Sequence, residues 1–312
     1  MTDSPLINFA SLVMLALVPY ILASQGTMLA GRTGLFIVAQ EGIMLMGASV
    51  GFLGAYLLGN IVYGLLLAAL VGALFGVAFT YFTSTLKLDQ FVIGLALFFL
   101  GLGLSSLLYK ITIGVTLQPP TIPTLRAYPV PLLSDLPVLG PVLFNQNLLV
   151  YGAYLLSALL YYLLYKTSYG LNLRSTGENP KAADALGVNV VHWQYAAAIT
   201  GCALMALAGA YLPMVYTGIY TDGIVRGRGW LAIALTFFGG WSPHGIFFGS
   251  LFFSGVEVLA LRVQLGGMGI AHQFLRMLPY LATILVMILA FKGVRPPAFL
   301  GLNYDRESRT GS

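Results

Sequence analysis

Two acidic residues, Glu41 and Glu257, lie inside long apolar runs of this sequence. A carboxylate surrounded by hydrocarbon is unfavourable unless it is paired or faces a water-filled cavity, so each one is a candidate for a solute pathway. Pairing with an arginine, such as Arg32 or Arg262, would instead hold two segments together. We favour the paired arrangement, because a buried carboxylate usually has a partner.

Three other residues join polar or aromatic character to the predicted ends of apolar segments: Gln40, Gln90 and Phe91. With Glu41 they form a small set of candidates for lining a solute pathway. Most of the 19 Phe and 18 Tyr, by contrast, are expected to face lipid or the membrane interfaces.

A polar stretch, residues 175–189, has the start and stop signals of a short helix. Asn179 suits the N-cap, Pro180 suits the first helical position, and Gly187 can end the helix in a left-handed conformation. Three alanines, the residue with the strongest helix propensity, lie in its interior: Ala182, Ala183 and Ala185. Charged side chains around it offer polar contacts: Glu178, Lys181 and Asp184. The helix either links two apolar segments or lies in a groove of another protein.

The residue patterns of common enzymes are missing from the sequence. No Gly-x-x-x-x-Gly-Lys-Ser/Thr phosphate loop occurs, so this chain cannot bind ATP in that manner. His244 has no neighbouring metal ligands, and no Ser-His-Asp or Cys/His arrangement occurs. The chain is therefore predicted not to be an enzyme and to hold no cofactor or metal, and any energy source must lie on a partner.

The composition places these residues in a lipid bilayer. Of the 312 residues, 58% are hydrophobic and 8% are charged, which leaves too little polar surface to cover a water-soluble protein of this size. The net charge of +5 is spread through short loops rather than gathered in one patch, so nucleic acid is not an expected partner. The predicted fold class is an all-α polytopic membrane protein.

Apolar runs long enough to cross about 30 Å of hydrocarbon recur along the chain. They predict eight or nine transmembrane segments, at residues 6–23, 34–58, 61–83, 91–109, 147–165, 193–216, 230–239, 243–261 and 274–291. Segment 230–239 is too short to span the bilayer and is bounded by glycine-rich turns, so it is predicted to be a half-helix or a re-entrant segment. Residues 1–301 are predicted to form one transmembrane domain, followed by a tail, 302–312.

Two polar connections interrupt these segments. Residues 110–146 carry seven prolines and cannot be helical throughout, whereas residues 166–192 contain the short helix. The distribution of Lys and Arg places 166–192 and the tail in the cytoplasm, with 110–146 outside the cell.

A weak internal repeat relates the two halves of the sequence. A short element followed by a glycine-rich run over residues 42–76 resembles the pattern over residues 230–255. In the predicted topology the two copies run in opposite directions, which is the arrangement of inverted-repeat transporters.

The run Glu-Asn-Pro-Lys-Ala-Ala-Asp-Ala-Leu-Gly at residues 178–187 resembles the coupling motif of permeases in the superfamily that imports ribose, branched-chain amino acids and nucleosides. Segments 32–48, 88–97, 224–235, 238–245 and 278–283 are similar, in order and spacing, to permeases that work with basic-membrane-protein-type lipoproteins. Residues 38–40 read Val-Ala-Gln where that family usually has Asn-Ile-Gly. The resemblance runs from about residue 32 to residue 301.

This resemblance implies the permease subunit of an ATP-binding cassette importer in the bacterial inner membrane. In that family the loop docks on a cytoplasmic ATP-binding subunit, so the implied coupling residues are Gly177, Glu178, Asn179, Pro180, Ala182, Ala183, Asp184 and Gly187. ATP and Mg²⁺ would be bound by that partner. A second homologous permease chain and an external substrate-binding lipoprotein are the other implied partners.

The implied solute is a nucleoside or a related small solute, with simple sugars and riboflavin as alternatives. A secondary transporter or channel is the rival class, because Glu41, Glu257 and the half-helix could form an ion site. That rival leaves the helix at residues 179–187 without a role.

Overall fold

Helices dominate the part of the chain that the computed structural model describes, which is residues 4–114, 118–265, 272–290 and 295–305. The α-helices in this part are α1 (Pro5–Gly31), α2 (Gln40–Leu58), α3 (Ile61–Thr80), α4 (Gln90–Ile113), α5 (Leu148–Lys166), α6 (Ser168–Glu178), α7 (Pro180–Ala185), α8 (Val190–Tyr211), α9 (Arg228–Phe238), α10 (Pro243–Leu265) and α11 (His272–Ala290). Short π-helical segments follow α3 (Tyr81–Thr85), precede β2 (Gly140–Phe144) and extend the end of α8 (Leu212–Thr217). Two short strands, β1 (Tyr128–Pro129) and β2 (Asn145–Gln146), pair antiparallel.

Seven helices in the described ranges are long and apolar enough to cross a membrane: α1 to α5, α8 and α10. The shorter α9 and an apolar stretch of α11, Met277–Val286, add to them. The prediction of an all-α polytopic fold with eight or nine segments is confirmed. Helix α9 has 11 residues, so the prediction of a half-helix there is also confirmed.

Helix α8 lies at the centre of the bundle and packs on α1, α2 and α3 through small residues. Gly201 of α8 lies against Gly26 of α1, and a side chain added at either position would collide with the carbonyl oxygen of the other. Gly72 of α3 meets the backbone of α8 at Cys202 in the same way. Because lipid and protein interiors are equally apolar, close backbone approach of this kind is a main source of helix association in membranes.

Two segments enter the bundle as non-helical backbone and become helical inside it. Residues 33–39 follow α1 and lead into α2, and residues 218–227 follow α8 and lead into α9. Residues 33–39 are buried in protein except for Phe36, which is the condition for irregular backbone at membrane depth. The predicted segment 34–58 is therefore corrected: it is helical only from Gln40, because residues 34–39 form this re-entrant approach.

Helices α2 and α9 begin side by side and run to opposite ends of the bundle. Helix α9 ends near Trp241, whose carbonyl oxygen accepts a hydrogen bond from Arg32 just after α1. Gly51, in the second half of α2, instead lies beside Met214, near the end of α8. The repeat unit that contains α2 and the one that contains α9 therefore have opposite orientations in the bundle, as the internal repeat predicts.

The end of the bundle that carries Arg32, Lys87, α6, α7 and Trp241 is called the α7 face below. The other end, which carries Lys110 and residues 118–147, is called the opposite face. There, residues 118–147 are largely irregular, and two backbone hydrogen bonds hold them on the end of α8: Ile122 N–H to Gly218 O at 2.8 Å, and Leu125 N–H to Met214 O at 3.0 Å.

Residues 166–192, at the α7 face, contain two short helices, α6 and α7, where one was predicted from the sequence.

Candidate functional site

Helix α7 has the local structure that its sequence predicts. The side-chain oxygen of Asn179 accepts a hydrogen bond from the Ala182 N–H at 3.0 Å, and Pro180 occupies the first turn. Gly187 follows the helix at φ +86°, a conformation that favours glycine, and nothing crowds it. The cap and the left-handed glycine give a six-residue helix defined ends, which it needs because so short a helix is unstable by propensity alone.

The predicted coupling residues divide into two groups. Four of them are exposed: Glu178, Asn179, Ala182 and Gly187. Three are buried in the chain itself: Gly177, Pro180 and Ala183. Asp184 is half-buried. The outward surface of α7 is therefore formed around Ala182 and Ala185, while Ala183 points back toward its own subunit.

Leu186 is the most exposed large apolar side chain in this region, at 86% of its full accessibility. It follows the last residue of α7 and projects from the α7 face. Leu186 is not among the residues predicted from the sequence, because leucine is neither a helix-capping residue type nor charged. The available signal was a large aliphatic residue in an otherwise polar loop. An exposed leucine in such a place is a candidate contact for another protein.

The α6–α7 region is anchored to the end of α1. Gly177 packs directly on the backbone of Arg32, where a side chain would have no room. The Arg32 guanidinium lies 3.7 Å from a Glu178 carboxylate oxygen and donates from Nε to the Trp241 carbonyl at 2.9 Å. The Glu178 side chain is 53% exposed, so solvent screens this ion pair and the glycine packing is the stronger attachment.

Residues 295–305, called the C-terminal strap below, cross the α7 face and bind the same region. Phe299 N–H donates to Gly177 O at 2.9 Å, and Gly301 N–H donates to Gly34 O at 2.9 Å. Further along, the Tyr304 hydroxyl donates to an Asp184 carboxylate oxygen at 3.0 Å. The strap therefore contacts both the base of α6 and the side of α7.

The far end of the strap is fixed to the loop between α3 and α4. The Asn303 amide donates to the carbonyl oxygens of Lys87 and Leu88 at 2.9 and 2.8 Å. Gln90 donates to Leu302 O at 3.2 Å and to Asn303 Oδ1 at 3.1 Å. Its own side-chain oxygen accepts from Phe36 N–H at 2.7 Å, so Gln90 joins the strap, α4 and the first re-entrant segment.

Glu41 lies where the two re-entrant segments meet, which is called the midplane junction below. Its carboxylate oxygens accept hydrogen bonds from Gly227 N–H at 2.7 Å and from Gly229 N–H at 2.8 Å. These amides belong to the start of α9, where N–H groups lack partners within the helix and the helix dipole favours a negative charge. Glu41 is thus paired, as predicted, but with backbone amides; the suggested pairing with Arg32 is wrong.

Glu257 of α10 is also paired, with Arg228 at the start of α9 and with Tyr20 of α1. Its carboxylate forms an ion pair with the Arg228 guanidinium and accepts a hydrogen bond from the Tyr20 hydroxyl at 2.9 Å. The predicted partner Arg262 is wrong: its guanidinium lies 5.2 Å from the centre of the Phe9 ring. Arg228 pairs with Glu257 instead, because it is the first residue of α9 and lies beside Glu257 within the bundle.

A cavity of about 670 Å³ adjoins this ion pair. Its lining comes from α1, the start of α9, α10 and α11: Tyr20, Arg226, Arg228, Leu231, Glu257, Ala260, Leu261, Gln264, Pro279 and Tyr280. Of the residues that the sequence offered for a solute pathway, Glu257 lines this cavity, whereas Gln40, Glu41, Gln90 and Phe91 do not. Gln40 is fully buried beside Thr27, Glu41 and Gln90 are engaged as described, and Phe91 is 56% exposed on the surface.

Comparison with known proteins places most of the chain in one family. The model of the family described as branched-chain amino acid transport system permease component matches residues 8–291. The nucleoside ABC transporter permease protein NupC of Lactococcus lactis is 34% identical over 300 residues, covering 92% of this chain and 93% of its own length.

Two other relatives align over similar lengths. The guanosine ABC transporter permease protein NupQ of Bacillus subtilis is 30% identical over 303 residues, covering 93% of this chain and 94% of its own. The putative glucose ABC transporter permease protein TsgC13 of Haloferax volcanii is 29% identical over 313 residues, covering 92% of this chain and 94% of its own length. No solved structure matches the chain.

Proposed function

This chain belongs to the family of branched-chain amino acid transport system permease components, and from that premise we propose that it forms the translocation pathway of an importer for nucleosides. It is a multi-pass protein of the cell membrane and the membrane component of an ATP-binding cassette transporter. The observation that carries the proposal is α7, a capped helix that projects Ala182, Ala185 and Leu186 from one end of a membrane-embedded bundle.

The α7 face lies in the cytoplasm and receives the ATP-binding subunit. A small apolar surface formed by alanines and one exposed leucine fits a groove on another protein, and the exposed N-cap Asn179 borders it. ATP and Mg²⁺ are bound by that partner, and hydrolysis takes place there. This placement is supported by the absence of a phosphate loop from the sequence and by the positive charge at this end, which carries Arg32, Lys87, Lys166, Arg174 and Lys181.

A nucleoside is the favoured solute. Two relatives that align with nearly the whole chain carry nucleoside and guanosine in their names. A simple sugar is the second candidate, because the glucose permease relative aligns over a similar length at 29% identity. Both candidates contain a hydroxylated ring, and the aromatic base distinguishes the nucleoside.

The remaining partners bind the other surfaces. A substrate-binding lipoprotein delivers the solute to the opposite face, which residues 118–147 cover. A second, homologous permease chain completes the membrane layer beside this one. The large exposed apolar side chains of the transmembrane helices are available for that contact and for lipid.

The solute is tested by uptake into proteoliposomes that contain the chain with its ATP-binding, lipoprotein and second permease subunits. We expect ATP-dependent uptake of labelled guanosine, with competition by unlabelled uridine and no competition by glucose. Uptake of labelled glucose with no uptake of labelled guanosine would replace the nucleoside by the sugar. Uptake that needs no ATP would remove the importer class altogether.

A further inference from the structure

The cavity beside the ion pair lies near the middle of the membrane-embedded bundle. Glu257 is about 21 Å along α10 from Pro243 on the α7 face, at 1.5 Å per residue. Tyr20 is about 16 Å along α1 from Gly31, at the same face. In a hydrocarbon layer about 30 Å thick, both residues lie well inside the bilayer rather than at its surface.

Two polar side chains line this cavity without a partner among the residues that the structure describes. These are the guanidinium of Arg226 and the amide of Gln264, which come from different elements. The charge of Arg228 is balanced by Glu257, so Arg226 leaves the cavity with an unbalanced positive charge. Gln264 lies about 31 Å along α10 from Pro243, where the cavity reaches the opposite face. Arg226 lies two residues before Arg228, near the depth of the ion pair, where hydrocarbon cannot solvate its charge and water or a ligand is required.

The backbone of Arg226 also indicates a specialised position. Its φ of +53° is a left-handed conformation that side-chain-bearing residues rarely adopt. The Tyr280 hydroxyl donates to its carbonyl oxygen at 3.3 Å and thereby ties α11 to the start of α9. A strained residue held by a neighbouring element and facing a cavity is a typical feature of a binding site.

We propose that this cavity is a transit site for the nucleoside within the membrane. Its size falls in the range of small-molecule pockets, about 300 to 1,000 Å³. The Tyr280 ring, 44% exposed, offers a face for the base, and Arg226 and Gln264 supply donors for its carbonyl and ring-nitrogen acceptors. The Glu257 carboxylate, whose side chain is 19% exposed, accepts from the ribose hydroxyls. The proposal rests on the proposed function and specifies where the solute is recognised.

Uptake kinetics test the site in the fully assembled importer. We expect Tyr280→Leu and Gln264→Ala each to lower the rate of guanosine uptake at subsaturating concentration by about tenfold, the size of one lost stacking or hydrogen-bonding contact. Tyr280→Phe, which keeps the ring, should retain most of the rate. The matched control is Phe248→Leu, an exposed aromatic residue of α10 outside the cavity lining, and it should leave uptake unchanged.

Labelling of a single cysteine tests occupancy directly. Cys202 is the only cysteine and is buried, so a Cys202→Ala background carrying Gln264→Cys offers one reactive thiol in the cavity. We expect guanosine to slow its modification by a water-soluble maleimide at least threefold, with glucose having no effect. Equal protection by glucose would overturn the nucleoside assignment of this cavity.

Failure of the site and failure of the proposed function give different results. An importer that carries guanosine but shows unchanged uptake in Tyr280→Leu and Gln264→Ala, and no protection of the cavity cysteine, overturns the transit site alone. A wild-type complex that carries no nucleoside overturns the proposed function, and with it the occupant proposed here.

Discussion

The two membrane carboxylates differ in what their neighbours provide. Glu257 meets a guanidinium and a hydroxyl, whereas Glu41 meets only backbone N–H groups of Gly227 and Gly229. A sequence identifies a carboxylate in an apolar run, but backbone amides have no sequence signature. For this reason the sequence predicts that both carboxylates need a partner, but it does not predict which group the partner is at either position.

Replacing Glu41 by Gln should destabilise the midplane junction. The variant loses the negative charge at the start of α9, and an amide oxygen cannot reproduce two charge-assisted hydrogen bonds. We expect a loss of about 2 kcal/mol of stability, measured by thermal unfolding of the purified chain in detergent.

The matched control for Glu41→Gln is Glu178→Gln, because Glu178 forms an exposed, 3.7 Å ion pair. We expect it to cost less than about 1 kcal/mol. Equal losses from the two variants would contradict the assignment of Glu41 as the link between the two halves.

Leu186 provides a sharper test of docking than the alanines identified from the sequence. Ala183 is 2% exposed, so a large residue there would disturb its own subunit, whereas Leu186 is 86% exposed. We expect Leu186→Arg to reduce co-purification of the ATP-binding subunit and solute-stimulated ATP hydrolysis at least fivefold. Membrane insertion should be unchanged.

The control for Leu186→Arg is Leu302→Arg, another exposed leucine on the α7 face, at 54%. Its side chain is not part of α7, and it should leave ATP hydrolysis near the wild-type rate. If the two variants behave alike, the docking surface is not centred on α7.

Among the elements, the C-terminal strap connects parts of the fold that are otherwise separate. It contacts α6 and α7 through Gly177 and Asp184 and reaches the loop before α4 through Asn303. Through these contacts we expect a displacement of α7 by a bound partner to reach α4 and the re-entrant segment that leads into α2. From the sequence alone, residues 302–312 are predicted to be a tail, because they are polar and follow the last apolar run.

Truncation after Gly301 should uncouple transport from hydrolysis, because it removes Asn303 and Tyr304. We expect the ATP-binding subunit still to dock and hydrolyse ATP, with at least fivefold fewer solute molecules imported per ATP. The measurement is the ratio of uptake to phosphate release in proteoliposomes.

Truncation after Asp305 is the matched control, since it keeps every contact of the strap described above. It should preserve the wild-type ratio of uptake to hydrolysis. A normal ratio after the shorter truncation would show that the strap does not take part in coupling.

For the whole molecule, the class and most helix positions could be predicted from hydrophobic run length, which depends only on bilayer thickness. The ends of α7 were predictable because capping is local chemistry. The midplane junction, the strap and the cavity were not, since each is formed by residues that are far apart in the sequence and meet only in the packed bundle. The cavity lining, for example, combines Tyr20, Arg226, Gln264 and Tyr280.

The purified chain should be inactive without its partners. It contains no phosphate loop, so we expect no ATP hydrolysis above background and no guanosine flux when it is reconstituted alone. Addition of the ATP-binding, lipoprotein and second permease subunits should restore both. Flux through the lone chain driven by a proton or sodium gradient would identify a secondary transporter instead.

The position of the C-terminal strap has a consequence for biogenesis. Residues 295–305 are translated after all the helices described above, yet they complete the surface around α7. A chain still on the ribosome therefore exposes α7 without its final supporting contacts. We therefore expect a prematurely terminated permease, like the chain truncated after Gly301, to recruit the nucleotide-hydrolysing subunit but to waste its ATP.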